Sequence, residues 1–287
     1  MASCMLLLAS CGAHISSDPE DQHGTLDGGA GRWSDPAAVT VAATPAIEDD
    51  VTLTSDALEM VYGIADPTTG KKDLYYTSRT AIGAPWAPVV PLPFDRAASS
   101  EEAPRFSVDD RTLYFASDRA ADDGNLDIYA VSHTAGATAA WGKPEPVAPL
   151  TTALTEKWLS PCSGGHYVVV QSTAAGDTDL FEGTLGTAAP PAPISVLNTT
   201  KGETGAFLTA DCLTLYFASF HVTPERIFVS HRASVGSPWQ PAVQVDDFKL
   251  PGGGGGAQED PWLSSDGRTF AFASDAAGTK DIYLSTR

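Results

Sequence analysis

Residues 259–287 read EDPWLSSDGRTFAFASDAAGTKDIYLSTR, and this stretch decides the fold. A Ser265-Asp266-Gly267 turn precedes an apolar run at Thr269–Ser274, and a Gly- and Asp-containing link leads to a second run at Asp281–Thr286. Turn residues bounding short runs rich in aromatics predict strands rather than helices. The pattern recurs. Residues 103–133 read APRFSVDDRTLYFASDRAADDGNLDIYAVSH, and residues 50–79 carry VTLTSDALEMVYG followed by KKDLYYTSR. Two more divergent copies lie at 156–183 (KWLSPCSGGHYVVVQS, then DTDLFEG) and 203–232 (AFLTADCLTLYFAS, then ERIFVSHR). Aligning the residue before the aromatic of each last strand sets Leu74, Ile128, Leu180, Ile227 and Ile282 in register. These positions recur roughly every fifty residues, and such a period built from short strands predicts a radial β-array.

Between the copies runs a Trp followed by a proline-containing apolar segment: Trp86-Ala-Pro-Val-Val, Trp141-Gly-Lys-Pro-Glu-Pro-Val and Trp239-Gln-Pro-Ala-Val. Residues 190–197 (PPAPISVL) hold the same place without the Trp. Proline cannot donate to a ladder and is confined to sheet edges, so this segment is the outer strand of each sheet. The last copy ends at Arg287 with no such strand, and residues 33–41 (WSDPAAVTV) supply it from the other end of the chain. The expected architecture is therefore all-β. It is a five-bladed β-propeller of four-stranded antiparallel blades over residues 33–287, one domain whose ring is closed by an N-terminal strand. A linear array and a six-bladed ring with one degenerate blade are the alternatives. Nearly continuous apolar runs, such as Leu113-Tyr114-Phe115 and Tyr167-Val-Val-Val, predict sheets buried on both faces.

The chain of 287 residues carries 17 basic against 36 acidic side chains, a net charge of −19. A polyanion would be repelled over most of such a surface, which excludes nucleic acid and adhesion to an anionic bilayer through basic residues. Residues 1–11, MASCMLLLASC, read as a lipoprotein signal ending at Cys11, because LASC resembles the bacterial lipobox whose Cys carries lipid. Residues 12–32 read as a flexible polar tether, and a disordered N-terminus with a chance LASC is the alternative. With Cys11 lipidated and Cys4 removed, Cys162 and Cys212 remain, each in the turn after an inner strand of neighbouring blades. An even pair in an exported protein suggests a disulfide, with two buried free thiols as the alternative.

The recurrent chemistry is acidic. A carboxylate is expected shortly before every inner strand: Asp49 and Asp50, Glu101 and Glu102, Glu156, Glu203, and Glu259 with Asp260. In a propeller these positions form a ring near the rim of the central channel, able to hold a cation or a polyhydroxylated ligand. Equally, acidic turn residues recur because the repeat was duplicated. Hydrolysis of a sugar would need one carboxyl as acid and another as base or nucleophile, and these acids follow the repeat instead of breaking it. Asp73, Asp127, Asp179 and Asp281 start the third strands and are expected to bond Ser117, Ser172, Ser219 and Ser274 across the sheet. The loop Asp118-Arg-Ala-Ala-Asp122-Asp123-Gly124-Asn125-Leu-Asp127 lacks the ligand spacing of an EF-hand. The glycine run 252–256 has no following Lys-Ser/Thr, the six histidines lack metal-ligand spacing, and no G-x-S-x-G elbow is present. No metal site and no cofactor are expected, with calcium as the alternative.

The segments PWLSSDGRTFAFASD…KDIY and PRFSVDDRTLYFASDR…LDIY resemble the WD40-like, TolB-type propeller repeat of bacterial envelope proteins. The likeness covers five units, from about residue 49 to the end. It implies an envelope propeller; together with the lipobox-like LASC, the expected place is the bacterial cell envelope, lipid-anchored at the outer membrane or in the periplasm. TolB has an additional N-terminal α/β domain and six blades, so the likeness does not imply membership of the Tol system. The expectation is a monomeric, non-enzymatic module that binds an envelope protein or a carbohydrate and meets the membrane only through its lipid. A carbohydrate-binding or glycoside-hydrolysing propeller working through the channel carboxylates is the alternative.

Overall fold

The computed structural model describes residues 32–96, 98–120, 124–136, 140–250 and 255–287, together with the backbone of His23 and Gly24. Cys11, the signal and most of the tether lie outside the described residues, as do Asp122, Asp123 and residues 251–254.

Five antiparallel sheets follow one another along the chain. Blade 1 holds Ile47–Leu53, Glu59–Ala65, Lys72–Ser78 and Val90–Pro91. Blade 2 holds Glu101–Phe106, Thr112–Ser117 and Asp127–Thr134, edged by Ala140–Trp141 and Glu145–Pro146. Blade 3 holds Glu156–Pro161, His166–Ser172, Thr178–Thr184 and Ala192–Pro193. Blade 4 holds Glu203–Leu208, Thr214–Ser219, Arg226–His231 and Val243–Val245. Blade 5 holds Glu259–Leu263, Thr269–Ser274 and Asp281–Thr286. The outer strand of blade 5 is Ala37–Ala38, with Ala37 opposite Leu284 and Ala38 opposite Tyr283. The Val39 amide extends this ladder to the Ile282 carbonyl at 2.8 Å. The sheets thus form a five-bladed propeller closed by its first strand. The outer strands are only two or three residues long, and in Val90–Pro91 and Ala192–Pro193 the proline removes a ladder donor. His23–Gly24, within the stretch read as a tether, pairs in parallel with Gln244 and Val245 on the edge of blade 4.

Every inner strand is interrupted at the same level. The register against the second strand shifts between Asp49 and Thr52, Glu102 and Arg105, Lys157 and Ser160, Thr204 and Phe207, and Glu259 and Trp262. The first residue inside each bulge is left-handed: Asp50 (φ 57°), Ala103 (53°), Trp158 (48°), Gly205 (59°) and Asp260 (54°). Four of the five are not glycine, so each stores about 1–3 kcal/mol that the surrounding sheet must overcome. Bulges re-aim side chains and concentrate beside functional sites. Here they set what lines the channel.

A second recurrent device ties each blade to its outer strand. Five residues beyond the register positions stand Arg79, His133, Leu185, Arg232 and Arg287. Arg79 lies over Trp86 at 4.4 Å, Arg232 over Trp239 at 4.3 Å and Arg287 over Trp33 at 4.5 Å. Each Nε donates to the carbonyl of a left-handed turn residue, Ala57, Cys212 and Gly267, at 3.0, 2.7 and 2.8 Å. In blade 2 His133 takes this place, its ring 4.6 Å from that of Trp141. Its Nδ1 lies 2.6 Å from the carbonyl of left-handed Asp110 and its Nε2 2.8 Å from Glu59 Oε2 of blade 1. Both neighbours are acceptors, so both ring nitrogens donate and the ring is an imidazolium standing in for arginine. Burial disfavours that charge, but the bonds to Glu59 and the Asp110 carbonyl outweigh it and the pKa rises above its ordinary value. In blade 3 Leu185 supplies only a backbone bond to Gly165. There the exit turn is fastened to blade 4 by a Cys162–Cys212 disulfide, Cα–Cα 5.3 Å.

The core lies between the sheets. Tyr62, Phe115, Tyr167, Phe217, Phe270 and Phe272 are fully buried, and each fully buried phenylalanine contributes about 1.5–3 kcal/mol.

The staple predicts how stability varies with pH. His133 gains a partner on folding, so its contribution is complete below its ordinary pKa of 6.5 and is lost as pH rises through the raised folded value. His133→Arg should remove that alkaline loss, whereas His133→Leu, leaving Glu59 buried without its cation, should cost about 3–5 kcal/mol. Urea unfolding on both sides of the imidazole range measures both. Opening the disulfide, which spans 50 residues, should cost about 2–4 kcal/mol, seen as a lower melting temperature of Cys162→Ser/Cys212→Ser.

Candidate functional site

The acids singled out by the repeat occupy three successive levels of the inner strands. The first level is Glu48, Glu101, Glu156, Glu203 and Gln258, all buried. Glu101 accepts from Ser99 Oγ (2.7 Å), Ser117 Oγ (2.8 Å) and Arg119 Nη2 (2.9 Å). Glu156 is held by Thr152 and Gln171, Glu203 by Thr199 and Ser219, and Glu48 by Thr44. All these partners belong to the blade of the glutamate or the loop that enters it, so Glu101, Glu156 and Glu203 are internal fasteners. This corrects one expectation. Ser117 and Ser274 do lie opposite Asp127 and Asp281 in the sheet, but the hydroxyls of Ser117 and Ser219 bond the inner-strand glutamates.

The next two levels face one another at the mouth where the inner strands begin. The second is Asp49, Glu102, Lys157, Thr204 and Glu259, and the third is the left-handed set containing Asp50 and Asp260. Lys72 Nζ sits 2.7 Å from Asp49 Oδ1 and 2.7 Å from Asp50 Oδ2. Lys280 Nζ sits 2.7 Å from Glu259 and 3.5 Å from Asp49. Lys157 Nζ bonds Glu102 at 2.6 Å. Below them Trp158 Nε1 donates to Asp50 Oδ1 at 3.1 Å, and the Asp50 amide donates to Asp260 Oδ2 at 2.9 Å. Glu225, the residue before the third strand of blade 4, joins the cluster, accepting from the Thr204 hydroxyl at 2.5 Å. Of the eight acids expected at the rim, the structure brings five together: Asp49, Asp50, Glu102, Glu259 and Asp260.

Like charges at this density cannot all ionise in a low-dielectric site. Asp50 is held ionised, because Lys72 and Lys157 outweigh the cost of its burial. Burial and the neighbouring Asp50 charge push Asp49 up, so Asp49 retains the proton of this tightly coupled pair. Burial and the nearby Glu259 raise Glu225 to about 8. Burial, Asp50 and Glu259 raise Asp260 to about 6 against the pull of Arg105.

The lysines escaped notice in the sequence although they leave a trace there. Lys72 and Lys280 each precede an aspartate at the head of a third strand, Asp73 and Asp281, and Glu225 holds the equivalent place in blade 4. That position varies between blades while its neighbours repeat, which marks it as a place where side chains from different blades meet. The cations that stand among these carboxylates are the ammoniums of Lys72, Lys157 and Lys280. Among the described residues no cluster of His, Cys, Asp and Glu has the arrangement of a metal site.

No family model matches the sequence, and no curated protein matches it. Solved structures do. The catalytic domain of a GH62 α-L-arabinofuranosidase from Coprinopsis cinerea is 12% identical with a TM-score of 0.58, covering 89% of this chain and 96% of that one. An endo-arabinase from Bacteroides thetaiotaomicron is 12% identical with a TM-score of 0.57, covering 88% and 97%. TolB from Acinetobacter baumannii is 13% identical with a TM-score of 0.47, and the match spans 86% of this chain but 56% of TolB. At such identities the likeness to the two hydrolases is one of fold: the chain is a five-bladed β-propeller. Among the described residues no helix is long and apolar enough to cross a membrane.

The raised carboxyl at Glu225 sets a second pH dependence. The unfolded chain releases this proton near 4.5 and the folded one near 8, so stability should fall as pH rises across that window. Glu225→Gln keeps the oxygen that accepts from Thr204 and removes the charge. It should raise stability by about 3–5 kcal/mol at alkaline pH and little at acidic pH, read as melting temperatures across the pH range.

Proposed function

We propose that this propeller is a non-catalytic binding module of the cell envelope, meeting an envelope protein or a carbohydrate through one face of the ring and anchored by lipid at Cys11. The envelope assignment rests on the TolB-type repeat likeness and on the LASC sequence. The non-catalytic assignment rests on one observation: a single ammonium, Lys72 Nζ, lies 2.7 Å from both Asp49 and Asp50. Glycoside hydrolysis needs two carboxyls on either side of a scissile bond, one protonated and one ionised. Asp49 and Asp50 have that split of protonation states, which is what favours hydrolysis as the second reading. Yet the space between them is filled by lysine instead of substrate, and Asp50 is 1% exposed with both oxygens bonded. The remaining acids are bonded likewise, Glu102 to Lys157 and Ser100, and Glu259 to Lys280. Three lysines set among these carboxylates make a rigid, charge-compensated plug.

Incubation with arabino- and xylo-oligosaccharides should release no reducing ends. Release by the wild type that disappears in Asp50→Asn would establish the hydrolytic reading instead.

A further inference from the structure

Just past the bulges the repeat breaks. The five equivalent positions carry Thr52, Arg105, Ser160, Phe207 and Trp262. Arg105, 1% exposed, reaches across the channel. Its Nε donates to the Ala206 carbonyl at 3.0 Å, Nη1 to Val51 and Pro104 at 2.8 and 3.1 Å, and Nη2 to Gly205 at 3.3 Å. One guanidinium thereby joins blades 1, 2 and 4 and closes the channel. On one side of it lie Asp50 and Asp260, which answer its charge. On the other, at the mouth where the inner strands end, is a cavity of about 530 Å³ with Arg105 in its lining, within the size range of small-ligand sites.

The lining is amphipathic. Phe207 and Trp262 stand side by side on blades 4 and 5, ring centroids 6.2 Å apart, and Leu208 of blade 4 and Phe106 of blade 2 also line the cavity. Thr52 and Ser160 lie at the same level on blades 1 and 3, 1% and 2% exposed. Ser160 Oγ accepts from the Leu208 amide at 2.8 Å and Thr52 Oγ1 from the Phe106 amide at 3.5 Å. Neither hydroxyl donates to any acceptor among the described residues. Two buried hydroxyl protons without acceptors, on the wall of a cavity, call for oxygen atoms from outside the chain. The other hydroxyls of the rim already have acceptors: Ser107 donates to Asp109, Thr209 to Asp211 and Ser264 to Asp266 within their turns, while Ser55 donates to Asp110 and Ser265 to the Ser55 carbonyl across neighbouring blades. Among the described residues the charged groups in the lining besides Arg105 are Asp110 and Asp211, which disfavour an anion.

We propose that this cavity binds a neutral, oxygen-bearing ring with one apolar face, the chemistry of a sugar residue within a neutral glycan. The apolar face lies against Phe207 and Trp262, and ring or hydroxyl oxygens accept from Thr52 and Ser160. The inference rests on the reading of the chain as a non-catalytic binder and puts the ligand at the mouth opposite the carboxylates.

Calorimetric titration of the folded protein with xylotriose, arabinotriose and cellotriose, and with a uronic-acid oligomer for contrast, tests it. At least one neutral trisaccharide should bind and the anionic oligomer should not. Thr52→Val/Ser160→Ala, which removes both donors at nearly constant volume, should weaken binding about tenfold or more. Lys143→Ala, at an exposed site of blade 2, should leave binding unchanged, and melting curves confirm that the variants fold. Trp262 is itself buried, so Phe207→Leu serves as the aromatic variant and should weaken binding as well. Absence of binding by all three neutral sugars, or binding that changes less than about twofold in the folded double variant, overturns the proposal. Reducing ends are measured in the same samples: release that survives Thr52→Val/Ser160→Ala and disappears in Asp50→Asn would sink the non-catalytic reading and place the sugar at the other mouth. Binding lost in the double variant with no release supports the cavity.

Discussion

The ladder between Ala37–Ala38 and the last strand of the chain is the constraint on which the rest of the molecule depends. A radial array of sheets leaves an unpaired outer edge at its final blade unless another segment supplies it. Here the segment comes from the opposite end of the sequence, so both termini of the ring are pinned in one sheet. Only in a closed ring do five inner strands converge, and only their convergence brings Asp49, Asp50, Glu102, Glu259 and Asp260 to one place. Trp33, buried beside Phe248 and Phe270 and capped by Arg287, anchors the closing segment on the side of blade 5.

Burying charge around this hub is expensive, and the structure handles it by different means at different depths. At the staples the cation lies over an aromatic ring and spends its directional donors on backbone carbonyls that left-handed turn residues turn outward. At the entry mouth the acids outnumber the lysines, so part of the charge is removed by keeping protons on Asp49 and Glu225. At the centre a single guanidinium satisfies carbonyls from three blades. His133 shows how narrow the chemical choice is. A residue that accepts from one neighbour and donates to the other would fail between a carbonyl and a carboxylate, so the histidine must carry a full charge to serve where its counterparts are arginines.

The two mouths of the channel differ in what they leave available. At the entry mouth the ionisable groups are mutually compensated, and the side chains that repeat most regularly are the ones doing structural duty. At the exit mouth the five blades present five different side chains, two of them with hydrogen-bonding capacity unspent. Repetition reports the duplication that built the fold, whereas departure from it reports what the individual positions have been fitted to do.

The sequence by itself determined the strand content, the repeat, the outer strands with their prolines and the segment that closes the ring, because each depends on local chemistry with a fixed period. It also located the acidic positions and the two cysteines. It merged Glu101, Glu156 and Glu203 with the channel acids, because these glutamates are fastened inside their own blades by side chains from entering loops and second strands, and no local signal marks that. Lys72 and Lys280 were legible only as irregularities in an otherwise repeating position. Arg105, Thr52 and Ser160 were invisible as a group. Their relation arises from five strands meeting around an axis, a many-body arrangement in which residues some fifty positions apart become neighbours, and only the tertiary structure decides it.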